Sequence, residues 1–380
     1  MALPRSKYVQ EGKVGVYHCY SRCVRRAFLC GFDTQTGRDF SHRKEWIAAR
    51  LRFLVSIFAI EVSSFSAMSD HYHTTVRIRP DIADCWSDYE VASRWLRLCP
   101  KRYKLKKAVK EPLEEQIRNL ALGTERIAEL RKRLCSLSWF MKHLNEFIAR
   151  AANKEDNVKG RFWESRFKCQ ALLDKAAIAA CMVYVDLNPI RAGLAETPED
   201  SDFTSIQQRI RDWHKEMKNT ASFSKQTEQN HQALSPLCNT SKSGNTCELA
   251  KPVFNCNSAT GDDIDGVAVS NNWLCPISSE ANLQGILPMT AEEYFDLVDR
   301  SGRMIRSDKR GSIDADLAPI LQRIGARPEA WTETVSHFED KFRLVVGLIG
   351  NLRIFADQVG RRWFAGVSAA RASFTHSLPQ

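Results

Sequence analysis

The sequence has no apolar run close to the roughly 18–20 residues that a membrane-spanning helix needs, and its opening MALPRSKYVQ carries no hydrophobic secretory segment. The expectation is a cytoplasmic protein with no membrane partner. None of the 12 cysteines, scattered from Cys19 and Cys23 to Cys275, forms a Cys-x-x-Cys pair. Free, mostly buried thiols in a reducing compartment are therefore expected, against a structural zinc site or disulfides. No P-loop pattern is present, so nothing points to chemistry driven by ATP. No repeat of fixed period is present either.

What the sequence does have is length and an uneven positive charge. At 380 residues it suggests two folded units and a connecting stretch. The net charge is +10, but residues 1–218 hold 39 Lys+Arg against 27 Asp+Glu, and the remainder holds 16 against 18. A basic first half suits a polyanion, because each phosphate neutralised by Lys or Arg releases condensed counterions.

Val14 to Tyr20 (VGVYHCY) reads as a strand, Ser41 as the cap of a helix through Trp46, Leu51 and Val55, and Phe58 to Ala67 as a second strand. His71 to Ile78 is the third, after a tight turn at Ser69 and Asp70. Helical spacing covers Trp86 to Leu98 and then Glu111 to Arg150. Asp174 can cap a helix to about Leu187 that Pro189 stops, and Thr204 to Met217 is amphipathic. The expected division is 1–218, a folded α+β unit; 219–287, a flexible linker rich in Ser, Asn, Thr and Gln; and 288–380, a small all-α domain.

A strand sends alternate side chains to one face, so His71 and His73 project together, roughly 6.5–7 Å apart along the strand. Two imidazoles so placed can share a divalent cation, or they can be half-exposed strand histidines. The helix from Asp174 carries Tyr184 and, one turn later, Asn188, so a phenol and a carboxamide oxygen share a face. Tyrosine ionises near pH 10 and attacks poorly unaided, and a cation that polarises a phosphate compensates. A core tyrosine with a satisfied hydroxyl is the alternative.

Three ordered segments, FSAMSDHYHTTVRIRP, GRFWESRF and MVYVDLNPIRAGL, together resemble the REP-associated tyrosine transposases, a branch of the single-tyrosine HUH transposases. The resemblance spans about residues 1–215, and DRSGRMIRSDKRGSI with APILQRIG looks like the C-terminal extension of one subgroup. It implies a ferredoxin-like antiparallel sheet bearing the histidines and a separate helix presenting the tyrosine. His71 and His73 then match the metal ligands, for Mg²⁺ or Mn²⁺, and Tyr184 the nucleophile in a Tyr-x-x-x-Asn-Pro pattern. Asn188 stands where related transposases place a Gln as third ligand, and Asp70 replaces the Asn expected before the first histidine. The implied reaction is attack on single-stranded or hairpin DNA to give a 5′-phosphotyrosine and a free 3′-hydroxyl, later reversed on another strand. A homodimer is compatible with this.

Arg161, Trp163, Arg166 and Lys168 interleave cations with aromatics, the combination that binds backbone phosphates and stacks on unpaired bases. Arg22, Arg25 and Arg26 form a second basic cluster and Lys101 to Lys110 a third, while Arg191 follows Tyr184 closely enough to reach a scissile phosphate. Two other functions compete: a related single-tyrosine nickase, and a domesticated nucleic-acid-binding protein with an inert site.

Overall fold

The computed structural model describes residues 4–24, 29–34, 37–100, 111–232, 273–278, 285–305 and 318–375, including side chains except those of 219–232 and 318. Its centre is one sheet built from β1 (Gly15–Arg22), β4 (Ile60–Ala67), β5 (His71–Ile78), β6 (Lys168–Leu172) and β7 (Val345–Val346). A separate two-residue ribbon of β2 (Phe32–Asp33) and β3 (Arg38–Asp39) lies outside it. The sheet order is β4-β5-β1-β6-β7, antiparallel except for the last pair.

Strand alternation gives β5 two unlike faces. Tyr72 points to the helix Leu137–Glu155, where its hydroxyl donates to Asn145 Oδ1 at 2.8 Å. His71, His73 and Thr75 point the other way, and Thr75 Oγ1 lies 3.5 Å from Cys181 Sγ on the helix Lys175–Asp186. This second helix, the tyrosine helix, is buried from Ala176 to Asp186, as its run of Ala, Ile, Met and Val requires. Asp174 caps it by accepting from Ala177 N–H at 3.0 Å, as its position predicts. Pro189 then sits in a short separate helix, Asn188–Arg191.

Several expectations need correction. The helix Arg43–Ile57 is preceded by His42 rather than by a Ser41 cap, since Ser41 N–H instead donates to Asp39 Oδ1 at 2.8 Å. The single helical stretch from Glu111 divides into Glu114–Ala121, Thr124–Leu134 and Leu137–Glu155, with Gly123 at the first break. Strands β2, β3, β6 and β7 are too short to show a period of two.

The interval 219–287 is not a linker throughout. A helix, Ser205–Gln232, continues into it, and residues 273–275 near the other end of the interval cover the outer edge of β4. Leu274 bridges Val62, Cys275 N–H donates to Val62 O at 2.8 Å, and Lys175 Nζ donates to Ile286 O at 2.7 Å. Trp273, Leu274, Ile277, Ile286 and Leu287 are buried there. These residues close a sheet edge without any helical or strand period, so composition alone hides them. The C-terminal residues are mainly helical but share the core of the first unit. Strand β7 extends the sheet, Tyr294 donates to Asp186 Oδ2 at 2.6 Å, and the Asp174 carboxylate accepts from Leu348 N–H (2.5 Å) and Asn351 Nδ2 (3.1 Å).

Candidate functional site

The histidine-bearing face of the sheet meets the tyrosine helix and the short C-terminal helix Phe338–Lys341. His73 is buried at 1% exposure, and its Nδ1 lies 3.0 Å from Nε2 of His18, a fully buried residue of β1. Register explains the meeting: Tyr20 pairs with His73 and His18 with Thr75, so His18 and His73 are diagonal neighbours on one face. His18 Nδ1 lies 2.7 Å from Gln170 Oε1, and Gln170 Nε2 donates to Phe342 O at 2.8 Å. Glu339 brings Oε1 to 3.3 Å from His73 Nδ1.

His18, His73 and Glu339 therefore form a group whose potential ligand atoms all lie within 4.8 Å of one another, an arrangement that could hold a metal ion. Two imidazoles and one carboxylate suit Mn²⁺, Zn²⁺ or Co²⁺ better than Mg²⁺, which prefers an oxygen shell. The observation that favours a cation is an orphan: Glu339 Oε1 is buried with no hydrogen-bond partner, and so, at the other end of its ring, is His73 Nε2. Burial holds His18 neutral, with its pKa lowered to about 4, partly offset by Gln170. Burial also lowers His73, helped by the neighbouring basic side chains His71, His18, Arg191 and Arg22. It raises Glu339, against the pull of His71, Lys168, Arg22 and Arg191.

The expected ligand set assembles only in part. His71 lies beside His73, with ring centroids 4.8 Å apart, but is outside the three-residue group, and its Nδ1 bonds the Asp70 carboxylate. Asn188 is buried, and its Oδ1 accepts from Arg191 Nη1 at 3.1 Å. Sequence reading missed His18, although it lies within VYHCY, and Glu339. Neither has a motif, and only strand pairing and the chain's return from far downstream bring them in.

Tyr184 is 5% exposed. Its ring lies edge-on to His73 (5.6 Å) and His18 (6.0 Å), stacks on Phe338 (5.5 Å), and has the Arg191 guanidinium 4.7 Å from its centroid. Burial, then the Glu339 charge, raises the phenol's pKa, and Arg191 opposes them.

The candidate DNA-contacting residues divide between two faces. On the histidine side, Arg22 pairs with Asp70 (3.4 Å), Lys168 Nζ lies 5.3 Å from the Tyr20 ring, and Arg191 covers Tyr184. On the other side, Trp163 and Arg166 line a cavity of about 410 Å³ with Arg5, Lys142 and Asn145, and Trp163 Nε1 donates to Asn145 O at 2.9 Å. Arg161 is exposed and donates to Glu164 O at 3.4 Å. Arg25, Arg26 and Lys101 to Lys110 lie outside the described residues. Among the described residues no cysteine forms a disulfide, and no helix is long and apolar enough to cross a membrane.

No protein-family model and no curated protein matches the chain. Among solved structures it is similar to a REP-associated tyrosine transposase bound to a REP hairpin. The two are 11% identical over 56% of this chain and 86% of that one, with a TM-score of 0.33. That is a distant likeness in shape, too loose to assign a family.

Proposed function

We propose that this chain cleaves and rejoins single-stranded DNA through a phosphotyrosine on Tyr184, assisted by a divalent cation held around His73. The observation that carries this reading is the meeting, on one sheet face, of a tyrosine, an arginine and a His-His-Glu group with unpartnered atoms. The ferredoxin-like reading has support in strand order: β4-β5-β1-β6 is antiparallel throughout, with helices following β1 and β5.

In the step itself the Tyr184 oxygen bonds to the scissile phosphorus, the phosphorus–3′-oxygen bond breaks, the phenolic proton is lost and the 3′-oxygen is protonated. Arg191 lies where it offsets negative charge on the phenolate and on the phosphate. A bound divalent cation polarises the phosphate. Asp70 orients His71 by accepting from its Nδ1, which leaves Nε2 to face a DNA phosphate rather than the cation. Hairpin or single-stranded DNA is the partner in this reading, and a cytoplasmic location follows from it.

One observation favours the non-catalytic alternative: Tyr184 is buried, packed by Phe338, His73 and Arg191, so a strand reaches its hydroxyl only when residues covering it move aside. Incubation of the full chain with labelled hairpin DNA and Mn²⁺ decides between the readings. A covalent adduct that maps to Tyr184 by mass spectrometry supports transfer chemistry. Hairpin binding with no adduct under any metal condition leaves a binding protein with an inert site.

A further inference from the structure

We propose that His18, His73 and Glu339 are themselves the ligands of one divalent transition-metal ion, with Gln170 fixing the ligating nitrogen of His18. This set differs from the His71, His73 and Asn188 that the strand and helix motifs suggest. Bonds of about 2.0–2.2 Å at tetrahedral angles place ligand atoms roughly 3.3–3.6 Å apart. Two of the three separations, 3.0 Å between His18 Nε2 and His73 Nδ1 and 3.3 Å between His73 Nδ1 and Glu339 Oε1, are already close to that spacing, and the whole set lies within 4.8 Å.

Hydrogen-bond roles sharpen the point. Gln170 Nε2 donates to Phe342 O, so Gln170 Oε1 is an acceptor and His18 Nδ1 must donate to it. His18 Nε2 therefore carries a lone pair. It faces His73 Nδ1, which faces Glu339 Oε1 in turn, and Glu339 Oε1 has no hydrogen-bond partner. Three electron-rich atoms converge with at most the single His73 proton among them. A cation satisfies all three, as a proton on one nitrogen cannot. Ligation through Nδ1 moves that proton to His73 Nε2, and the Gln170 contact is the outer support that metal-bound imidazoles commonly have.

Glu339 comes from the C-terminal segment, which is tied to the sheet by the β6-β7 pairing and to the tyrosine helix through Asp174. The ion would thus link that segment to the face carrying Tyr184. Metal binding stands on these three ligands alone, and only its use in strand cleavage rests on the function proposed above.

The test uses the full chain stripped by chelator, with Zn²⁺ titrated by calorimetry and Co²⁺ followed by its visible absorption. One ion per chain is expected. Glu339→Gln, whose site is only partly buried and whose fold is checked by circular dichroism, should weaken binding at least tenfold and abolish the metal-dependent rise in Tm. His71→Ala should bind within about twofold of wild type. Three results overturn the assignment: no stoichiometric binding by the folded chain, unchanged affinity in Glu339→Gln, or loss of binding in His71→Ala with retention in Glu339→Gln. Metal binding without any DNA adduct leaves the site standing and removes only the transfer reaction.

Discussion

Two tyrosines are buried against opposite faces of one sheet, and the difference lies in what surrounds each hydroxyl. Tyr72 donates to Asn145 at 2.8 Å, and Asn145 donates to Ser21 at 3.2 Å, so a neutral chain of partners is complete. Burial pushes its pKa far up. Tyr184 is nearly as buried, yet it sits beside a guanidinium and a histidine whose Nε2 has no partner. Burial does not separate the two. A paired polar face is structural, whereas unpartnered lone pairs next to a cation mark a place where a ligand belongs.

The largest expected effect breaks that comparison outright. Tyr184→Phe removes a nucleophile that nothing replaces, so the covalent DNA adduct should disappear while hairpin binding persists. Tyr72→Phe, assayed on the same DNA by denaturing gel, should form adduct normally. An adduct on Tyr72, or on Tyr17, would refute the distinction between the faces.

Next in size is a pH effect at Asp186, two residues from Tyr184 on the same helix. Its carboxylate accepts from Tyr294, from Ile206 N–H and from Ser205, and burial raises its pKa to about 6 against an unfolded value of 3.8. The folded state therefore keeps a proton that the unfolded state has lost between these values. This group's contribution to stability is greatest below about pH 4 and is lost as pH rises through 6. Against Asp186→Asn, wild type should lose about 2 kcal/mol of relative stability between pH 4 and 7 in urea unfolding. Parallel pH curves for the two proteins would exclude this.

On the satisfied face, Tyr72→Phe leaves Asn145 Oδ1 without its donor and should cost about 1–3 kcal/mol, read from the urea midpoint. Tyr184→Phe should cost less, because its side-chain partner Arg191 keeps the Asn188 contact and still packs on the ring. The smallest effect belongs to the cavity shared by Trp163 and Arg166. Trp163→Ala should weaken single-strand binding about tenfold, the loss of one stacking platform, with the adduct still forming at saturating DNA. Unchanged binding would remove that cavity from the DNA path.

How much was legible follows the reach of each signal. Strand β5 was read with its observed bounds because the β-branched run HTTV is local, and the tyrosine helix was read because Asp174 caps it. The linker reading of 219–287 failed at its ends, where Trp273 and Leu274 seal β4 without any periodicity. In the candidate site, His73 and Tyr184 come together as expected, while His18 and Glu339 replace His71 and Asn188 in the closest cluster.

By itself, the sequence determined which side chains alternate along β5, where the tyrosine helix begins, and that Tyr184, Asn188 and Arg191 share one stretch of chain. These are consequences of periods of two and 3.6 residues, which act over a few neighbours. Only the tertiary structure decided that β1 pairs beside β5 with His18 diagonal to His73, and that a segment more than 260 residues further on lays Glu339 and Phe338 over them. Register and long-range return depend on the burial of the whole core rather than on any local pattern, so the same residues carry no sign of one another until the chain is folded.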